Sequence, residues 1–593
     1  MCGILLYVGT EHKRAEFQNG LEALKHRGPD EVNLLNLELG INANIQVYLG
    51  HTRLSIVDDE LSKQPMFKDK IHLIYNGEIY NFKSVKKELE EIGVRFKTNG
   101  DTEVLLESYK AWGMNCVSKF IGMWSFAIID QSKGRIYVSR DRLGVKPLYY
   151  YSCGGNLVIS SEIKAILPFL DEVYANKNEA IKYLIYGPQE TTEKTFFSDV
   201  NRVKAAENLE FNFNGELIHS DNYYSIESLA SKKNVTKNTS KALKDLISDA
   251  VALRISPDKT TAITLSGGVD SNIILSQARL SKKTPTFTAV YDEFGKDMNE
   301  TDLISKALLD GQVQNQKVLC TISQVLESIN DVIFFQDEPF DTMGIFAQNF
   351  VYKAVSEEGI KVTLDGQGAD ELFLGYPNFR SIVLFTALKN LDFKYIMANK
   401  FLLKSEVLKH MMALLVPKLF HRMYFYKRAR TIFKTREKWI GSSKNRYFKM
   451  GNFKSLIESN IRDHLSVLLR YVDRNSMQHS VEARGPFLDF RLLEFAVTLG
   501  YKDFYNNSLS KKILRDAYQG MVHSDILTNK VKLGFPVPEK EWMTAIKEKY
   551  SNELISNDLV NELNLKLDEE TLYNWKVYSL YFWIKGFDIK GWK

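Results

Sequence analysis

The pattern of strand-forming and helix-forming segments changes once along this chain, at a polar stretch covering residues 225–240. This stretch, SIESLASKKNVTKNTS, is rich in serine, lysine and asparagine, and such composition predicts a linker. A chain of 593 residues is long enough for two large domains. We therefore expect one domain at residues 2–215 and a second at residues 241–593.

The residues before the linker form short runs of β-branched and aromatic residues that end at turn formers. Runs such as KIHLIYNGEIYNF and MWSFAIID are typical of strands, whereas SVKKELEEIG has helical spacing and ends at a glycine. Many strands with few helices predict an α+β layered sandwich with antiparallel sheets. A closing hairpin is expected around Asn214-Gly215.

The residues after the linker alternate between strands and helices. TTAITLSGGVDSNIILSQARLS has the pattern of a strand, a glycine loop and a helix, and PTFTAVYDEF and IKVTLDGQGADELF add two more strands. This alternation predicts an α/β domain with a parallel sheet covered by helices on both faces.

Composition excludes several function classes. A net charge of +5, from 78 basic and 73 acidic residues, is too balanced for a dedicated nucleic-acid binder. Four scattered cysteines without a CxxC pair exclude a disulfide scaffold and a structural zinc site. The chain has no apolar run of about 18 residues and no signal-peptide pattern. We therefore expect a cytoplasmic protein without an integral membrane segment.

One segment, residues 380–449, departs from this balance. It holds 17 Lys and Arg against 3 Asp and Glu, and it is also rich in Leu, Met, Phe and Tyr. We expect a basic helical insertion with an amphipathic character. Three interpretations stay open: a solvated basic face, a lid that attracts an anionic substrate, or a surface that contacts anionic lipid or polymer.

The first candidate for chemistry is Cys2, directly after Met1. A small second residue normally permits removal of the initiator methionine, which would leave Cys2 with a free α-amino group. An amine with a pKa near 8 can act as the local base for the thiol. The alternative is an inert, buried small residue.

Five further motifs follow Cys2 in order, and they favour the nucleophile. They are HRGPD at 26–30, HTRLSIVD at 51–58, YNGEIYN at 75–81, GDTE at 100–103 and RDRLGVKPLYYY at 140–151. With them the chain resembles the class II glutamine amidotransferase domain. That resemblance implies an N-terminal nucleophile αββα sandwich.

The resemblance also implies a role for each residue. Cys2 would attack the glutamine side-chain amide, while the Asn76 side chain and the Gly77 N–H form an oxyanion hole. Arg53 would hold the α-carboxylate and Asp101 the α-ammonium. The full set implied around glutamine is Arg53, Leu54, Ser55, Ile56, Val57, Asn76, Gly77, Glu78 and Asp101.

The second candidate site is Ser266-Gly267-Gly268-Val269-Asp270-Ser271, between a predicted strand and a predicted helix. Small residues let backbone N–H groups approach phosphate oxygens at a helix N-terminus. The loop resembles the pyrophosphate loop of ATP pyrophosphatases and lacks the GKS or GKT of a Walker loop. It therefore favours adenylation with release of pyrophosphate, and a plain glycine turn is the alternative.

A loop at Asp365–Glu371 follows another predicted strand, so it can face the first loop at the ends of parallel strands. Asp270 and Asp370 are then candidate ligands for Mg²⁺, which prefers oxygen donors. The predicted ATP contacts are Leu265, Ser266, Gly267, Gly268, Asp270, Ser271, Val290, Asp365 and Gly366.

Three later motifs, RNSM at 474–477, EARGPFLD at 482–489 and KVKLGFP at 530–536, extend the resemblance. With them residues 240–545 resemble the synthetase domain of glutamine-hydrolysing asparagine synthetase. The resemblance implies a doubly wound ATP pyrophosphatase domain, ATP and Mg²⁺ without an organic prosthetic group, and a homodimer. It assigns Lys532 to the stabilisation of negative charge during adenylation, with a solvated surface lysine as the alternative.

The chain departs from this family at one loop. Many asparagine synthetases carry Ser-Gly-Glu-Gly where this chain has Asp365, Gly366, Gln367 and Gly368. The family glutamate is linked to the adenylate step, and a neutral amide at Gln367 cannot act as a base. The departure leaves the acceptor open between aspartate and a sugar acid of surface-polysaccharide pathways.

The sequence thus predicts a two-domain amidotransferase that hydrolyses glutamine at Cys2 and passes ammonia to a second site. There ATP would activate a carboxylate, in the first instance aspartate, as an acyl-adenylate. Two other functions stay open: a cyclase similar to β-lactam synthetase, and an inactive relative that acts as a binding partner.

Overall fold

The computed structural model describes most of the chain. The described residues are 2–38, 45–56, 62–225, 239–280, 284–291, 300–308, 313–415, 417–434, 453–506, 508–530 and 536–593. Most of the predicted linker, together with Val57 and Lys532, lies outside them. No helix within the described residues is both long enough and apolar enough to span a bilayer.

The first half of the chain forms two antiparallel sheets. Its strands are β1 (Gly3–Gly9), β2 (Glu31–Glu38), β3 (Gln46–Arg53), β4 (Met66–Lys68), β5 (Ile71–Ile79), β6 (Gly122–Asp130), β7 (Arg135–Arg140), β8 (Tyr149–Cys153), β9 (Asn156–Ser160), β10 (Asn201–Arg202), β11 (Glu207–Asn212) and β12 (Leu217–Asn222). The sheets have the orders β10-β8-β9-β1-β3-β2 and β12-β11-β7-β6-β5-β4. The predicted hairpin is present, because β11 pairs with β12 across Gly215, whose φ is 75°.

Four α-helices accompany these sheets in the described part of the first half: α1 (Arg14–Glu22), α2 (Phe82–Glu91), α3 (Asp101–Trp112) and α4 (Lys177–Tyr186). Strand β1 is buried on both faces. Ile4 packs towards the second sheet with Ile74, whereas Leu5 packs with Phe17 of α1. Since helices α2 and α3 cover the other sheet, the predicted αββα sandwich is confirmed.

The second half contains a five-stranded parallel sheet. Its strands are β13 (Thr261–Thr264), β14 (Thr286–Val290), β15 (Asn315–Leu319), β16 (Val362–Leu364) and β17 (Glu482–Arg484), in the order β15-β14-β13-β16-β17. The strand order reverses direction between β13 and β16, and ligands in such sheets bind beyond the strand ends at this point. The predicted doubly wound sheet is confirmed.

Helices surround this sheet. The helices are α5 (Thr239–Arg254), α6 (Val269–Ala278), α7 (Thr301–Ala307), α8 (Ile322–Gln336), α9 (Gly344–Glu357), α10 (Ala369–Phe373), α11 (Arg380–Lys389), α12 (Phe393–Ala398), α13 (Ser405–Leu415), α14 (Pro417–Ile432), α15 (Phe453–Asn460), α16 (Ser466–Gln478), α17 (Phe490–Ala496), α18 (Lys512–Ala517), α19 (Ser524–Thr528), α20 (Glu539–Ile555), α21 (Asp558–Asn561), α22 (Glu569–Leu572) and α23 (Trp575–Gly586). A short hairpin pairs β18 (Tyr505–Asn506) with β19 (Leu509–Ser510). Helices α11 to α14 lie in the predicted insertion, which is therefore helical where it is described.

Buried ion pairs join the two halves. Arg27 contacts Glu162 at 2.6 Å and Asp473 of α16 at 2.8 Å. Arg474 of the same helix contacts Asp337 at 2.8 Å and Glu162 at 3.4 Å. Breaking one such pair leaves an uncompensated buried charge, so this contact holds the relative position of the halves firmly.

Candidate functional site

The predicted nucleophile lies where the two antiparallel sheets meet. Cys2 directly precedes β1, and its backbone N–H donates to Asn76 Oδ1 at 3.1 Å, on β5 of the other sheet. Arg27 Nε donates to the Cys2 carbonyl oxygen at 3.1 Å. Since Arg27 is buried and paired with Asp473, the start of β1 is anchored on both sides.

Asn76 and Gly77, the residues predicted to form the oxyanion hole, lie on β5. Asn76 is fully buried, and its Nδ2 has no hydrogen-bond partner among the described residues. A buried donor of this kind is costly unless a ligand accepts its hydrogen bond. At Gly77 a Cβ atom would lie 2.2 Å from the Met123 carbonyl oxygen, so only glycine fits. The Asn76 donor therefore lies beside Cys2 and has no acceptor among the described residues.

The surroundings of the Cys2 thiol favour its neutral form. Burial raises its pKa, and a hydrogen bond with the Leu54 backbone and the charge of Arg53 only partly oppose that effect. A neutral thiol needs a base before it can attack an amide. This arrangement is compatible with the α-amino group of Cys2 as that base.

The residues predicted to hold glutamine gather around Cys2. Arg53 ends β3, is 7% exposed and lies 3.4 Å from Glu31. Asp101 begins α3 and accepts hydrogen bonds from the Tyr75 hydroxyl at 2.8 Å and the Ile79 N–H at 2.9 Å. Burial raises the pKa of Asp101 to about 6. The site thus offers one cation and one anion, as an amino acid requires.

The loop after Arg53 is only partly described. Leu54 and Ile56 are buried, and the Ser55 N–H donates to Asp30 Oδ2 at 2.7 Å. The contact of Ser55 with Asp30 supports a structural role for the HRGPD motif. Val57 lies outside the described residues.

The second predicted site is a cleft between the ends of β13 and β16. Its lining includes Ser266, Gly267, Gly268, Asp270, Ser271, Asp365, Gly366, Gln367 and Asp370. The Gly366 backbone approaches Asp270 so closely that a Cβ atom would lie 2.9 Å from the Asp270 Cβ. The two predicted loops therefore face each other. Leu265 and Val290 are buried and are absent from the described residues that line the cleft.

The glycine loop already holds an anion from this chain. The Gly267 N–H donates to Glu300 Oε2 at 2.8 Å, and the Gly268 N–H donates to Ser266 Oγ at 3.2 Å. Burial raises the pKa of Glu300. A carboxylate on the Gly267 N–H indicates that the loop can bind anions, and a phosphate would have to replace it.

Asp270 and Asp370 both contact the ammonium group of Lys511. Lys511 Nζ lies 2.6 Å from Asp270 Oδ2 and 2.6 Å from Asp370 Oδ1. Among the described residues no group of three His, Cys, Asp or Glu could hold a metal ion. Two carboxylates that meet at one cation fit Mg²⁺, provided that phosphate and water supply the remaining oxygens.

Lys511 and Glu300, which none of the sequence motifs includes, line the cleft together with Arg515. Lys511 follows β19 and is 5% exposed, with its charge against the two predicted metal ligands. No local pattern distinguishes it from its neighbour Lys512. Lys532, for which a similar role was predicted, lies outside the described residues, and its role stays a prediction.

The loop that departs from the family pattern lies in the cleft. Gln367 lines it, and its backbone N–H donates to Asp365 Oδ1 at 3.0 Å. Asp365 is 8% exposed, and burial raises its pKa to about 6. The loop thus retains a carboxylate, two residues before the neutral amide.

Strand β17 separates the two sites. Arg484 on this strand donates to Glu78 Oε1 at 3.0 Å, and its carbonyl oxygen accepts the Asp365 N–H at 3.2 Å. One residue thus contacts the glutamine site with its side chain and the cleft with its backbone. Beside it, Leu54 and Ile56 form a buried apolar cluster with Val362 and Met477.

Two known domain families match the chain. A family model described as a glutamine amidotransferase domain matches residues 1–224, and one described as asparagine synthase matches residues 242–577. The chain is 28% identical to asparagine synthetase [glutamine-hydrolyzing] 3 of Bacillus subtilis, over 92% of this chain and 90% of that protein. It is 32% identical to a putative asparagine synthetase 2 of Methanocaldococcus jannaschii, over 63% and 76%.

A solved structure of the allosteric regulatory enzyme of purine biosynthesis also aligns with the chain. It is 16% identical, with a TM-score of 0.30 over 53% of this chain and 80% of that one.

Proposed function

Because the chain belongs to the asparagine synthase family, we propose that it converts aspartate to asparagine, with glutamine as nitrogen donor and ATP as the activating nucleotide. The observation that carries this proposal is the position of Arg484, which contacts Glu78 beside Cys2 and the Asp365 backbone in the cleft. The glutamine site and the cleft lie on either side of β17. This arrangement suits a reaction in which the glutamine site releases ammonia and the cleft consumes it.

The first reaction is glutamine hydrolysis at Cys2. After removal of Met1, the α-amino group would take the thiol proton, and sulfur would attack the side-chain carbonyl carbon. The negative charge that develops on the carbonyl oxygen would be stabilised by Asn76 Nδ2 and the Gly77 N–H. The thioester that remains after loss of ammonia would be hydrolysed to glutamate.

Selectivity for free glutamine follows from the paired charges at the site. Arg53 would bind the α-carboxylate through its planar guanidinium group, and ionised Asp101 would bind the α-ammonium. An amide without both groups would forgo one of these two charge-assisted contacts, so it would bind less tightly than glutamine.

The second reaction is adenylation in the cleft. The N–H groups of Gly267 and Gly268 would bind phosphate oxygens as Glu300 withdraws, with Lys511 close to the phosphates. Asp270 and Asp370 would hold Mg²⁺, which when bound neutralises phosphate charge. The aspartate side-chain carboxylate would attack the α-phosphorus and pyrophosphate would leave. Ammonia would then displace AMP to form the amide.

The apolar cluster between the sites suits the passage of a neutral molecule. Ammonia in water is mostly protonated and cannot act as a nucleophile. Leu54 and Ile56 of the glutamine loop form a buried apolar cluster with Val362 of β16 and Met477 of α16. An apolar route disfavours the charged ammonium ion, so ammonia would stay reactive along it.

Replacement of Cys2 tests the division of labour. Cys2→Ala should abolish asparagine formation from glutamine, by at least about 10³-fold, because it removes the nucleophile. Formation of asparagine from added ammonium should persist. Cys153→Ala, at an exposed cysteine, is the matched control and should retain both activities. Equal loss of both activities in Cys2→Ala would contradict the proposal.

The acceptor is tested separately. Pyrophosphate release is measured with aspartate, free uronic acids and nucleotide-linked uronic acids, with mass spectrometry of the amide product. Aspartate should give the highest kcat/KM. If a uronic acid exceeds aspartate, the amidotransferase chemistry stands but asparagine synthesis does not.

A further inference from the structure

The basic insertion carries a surface that neither reaction uses. In its described part, α11 is followed by α12, a 3-10 turn at Lys400–Leu403 and α13, which pack into one unit. No described residue of this insertion lines the cleft at the end of β13. The described residues therefore show no contact that would support the insertion as a lid over an anionic substrate.

The apolar residues of this unit divide into two sets. Ile396, Phe401, Leu402 and Val407 are buried in the core of the second half. A second set points outward, with exposed fractions of 72% for Leu391, 58% for Phe393, 59% for Met397, 43% for Leu403 and 37% for Leu408. A buried set anchors the unit, so the exposed set is held in place.

The exposed set is concentrated rather than scattered. Sixteen large apolar residues are exposed in the described chain, and five of them fall within residues 391–408. Single exposed apolar side chains are ordinary, whereas exposed apolar residues that adjoin one another mark interaction sites, and Phe393 and Met397 lie four residues apart, on one face of α12. A fully solvated basic face would not need these residues.

Five exposed lysines lie among these apolar residues: Lys389, Lys394, Lys400, Lys404 and Lys409. None of them forms an ion pair with another described residue. Of the acidic residues nearby, Asp392 is paired with Lys502 at 2.5 Å, and Glu406 is exposed. The surface therefore has an excess of unpaired positive charge.

Lysines interleaved with exposed apolar and aromatic side chains are typical of segments that lie in a membrane interface. The ammonium groups attract anionic headgroups, and the apolar side chains enter the boundary of the acyl chains. A soluble polyanion would satisfy the lysines but would offer Leu391, Phe393 and Met397 no apolar partner. A second copy of this positive surface would repel the first.

We propose that residues 389–409 form a peripheral docking surface for an anionic lipid bilayer. The surface would hold the enzyme at a membrane while leaving the glutamine site and the cleft free. This proposal does not depend on the identity of the acceptor carboxylate.

Sedimentation of the full chain with lipid vesicles tests the proposal. Vesicles of phosphatidylglycerol and phosphatidylcholine in equal parts should bind the protein at least about tenfold more tightly than vesicles of phosphatidylcholine alone. Added salt should weaken the binding, since it screens the lysines. Equal binding to both vesicle types, or binding to neither, would overturn the proposal.

Two double variants separate charge from apolar insertion. Lys394→Glu with Lys400→Glu, and Phe393→Ser with Met397→Ser, should each weaken vesicle binding at least about tenfold. The matched controls are Lys540→Glu with Lys549→Glu on α20, and Phe67→Ser, all at exposed positions. The controls should bind as the unchanged protein does. Glutamine hydrolysis and pyrophosphate release verify the folding of every variant.

Two other occupants of the surface would be recognised in the same experiments. If dextran sulfate binds as tightly as the vesicles and the Phe393/Met397 variant binds normally, the partner is an anionic polymer and the proposal fails. If the protein self-associates without vesicles and both double variants abolish that association, the surface joins two copies and the proposal also fails.

Discussion

The glutamine site and the nucleotide cleft differ in how their polar groups are satisfied. Beside Cys2, the Asn76 Nδ2 donor is buried without a partner among the described residues. In the cleft, Glu300 accepts a hydrogen bond from the Gly267 N–H, and Lys511 lies between Asp270 and Asp370. The first site is thus organised for a ligand in advance, whereas the second is closed by internal contacts that the ligand must replace.

This difference has a physical consequence for the order of events. Glutamine would bind and react without rearrangement, because the fold already bears the cost of the unsatisfied donor. ATP would have to displace a carboxylate and share the two aspartates with a lysine. We therefore expect glutamine hydrolysis to proceed without ATP, and ATP binding to be the step that reorganises the protein.

Among variants that keep the Cys2 nucleophile, removal of the unpartnered donor should have the largest effect. Asn76→Ala should lower kcat for glutamine hydrolysis by about 10²- to 10³-fold with little change in KM, because the donor acts on the transition state. The measurement is steady-state glutamate release. Asn33→Ala is the control, since its amide already donates to the Gln64 carbonyl oxygen at 3.0 Å. A change confined to KM would refute the oxyanion role.

Removal of the lysine in the cleft should affect only the second reaction. Lys511→Gln should lower pyrophosphate release by roughly 10²-fold, because the positive charge near the phosphates is lost. Glutamine hydrolysis without ATP should be unchanged.

The adjacent lysine provides the control for this variant. Lys512 pairs only with Asp516 among the described residues, at 2.7 Å near the surface, so Lys512→Gln should retain both activities. If Lys512→Gln loses pyrophosphate release and Lys511→Gln does not, the assignment is wrong.

The effect of pH on kcat/KM for glutamine should be smaller than the effects of these variants, and kcat/KM should fall on acidification. Burial raises the pKa of Asp101 to about 6, so acidification through this range protonates the group that binds the α-ammonium. We expect kcat/KM for glutamine to fall about tenfold per pH unit below the pKa of Asp101. In Asp101→Asn this step should be absent, on a lower overall activity. Persistence of the step in the variant would assign it to another group.

The smallest expected effect is a decrease in KM for ATP. Glu300→Gln removes the anion that occupies the glycine loop, so KM for ATP should fall by about two- to fivefold. Initial rates of pyrophosphate release at varied ATP test this. The variant Glu327→Gln, on α8 outside the cleft, should leave KM for ATP unchanged. A higher KM in Glu300→Gln would indicate that Glu300 assists ATP binding.

The two sites also differ in how far the sequence predicted them. Cys2, Asn76, Asp101 and Asp270 lie in local motifs. In the structure Asn76 contacts Cys2, Asp101 contacts Tyr75 and Ile79, and Asp270 lines the cleft. Lys511 and Glu300 reach the cleft only through contacts between distant segments, and no local pattern marks them. A role set by a tertiary contact cannot be read from neighbouring residues.

The strands of the parallel sheet show the same difference between local pattern and tertiary contact. Strands β13, β14 and β16 are apolar runs bounded by turn formers, and the alternating pattern predicted them. The edge strand β15 is polar and partly exposed, and β17 has three residues whose pairing depends on β16. Their strand conformation comes from the neighbouring strand rather than from their own propensity. Strand β17 nevertheless lies between the two sites.

The direct test of the account is the origin of the nitrogen in the product. The enzyme is given glutamine labelled with ¹⁵N at the side-chain amide, together with unlabelled ammonium at a concentration that alone supports little synthesis. The account predicts that asparagine retains the label as fully as it does without ammonium, because ammonia passes between the sites inside the protein. Dilution of the label to the composition of the bulk ammonia pool would contradict it.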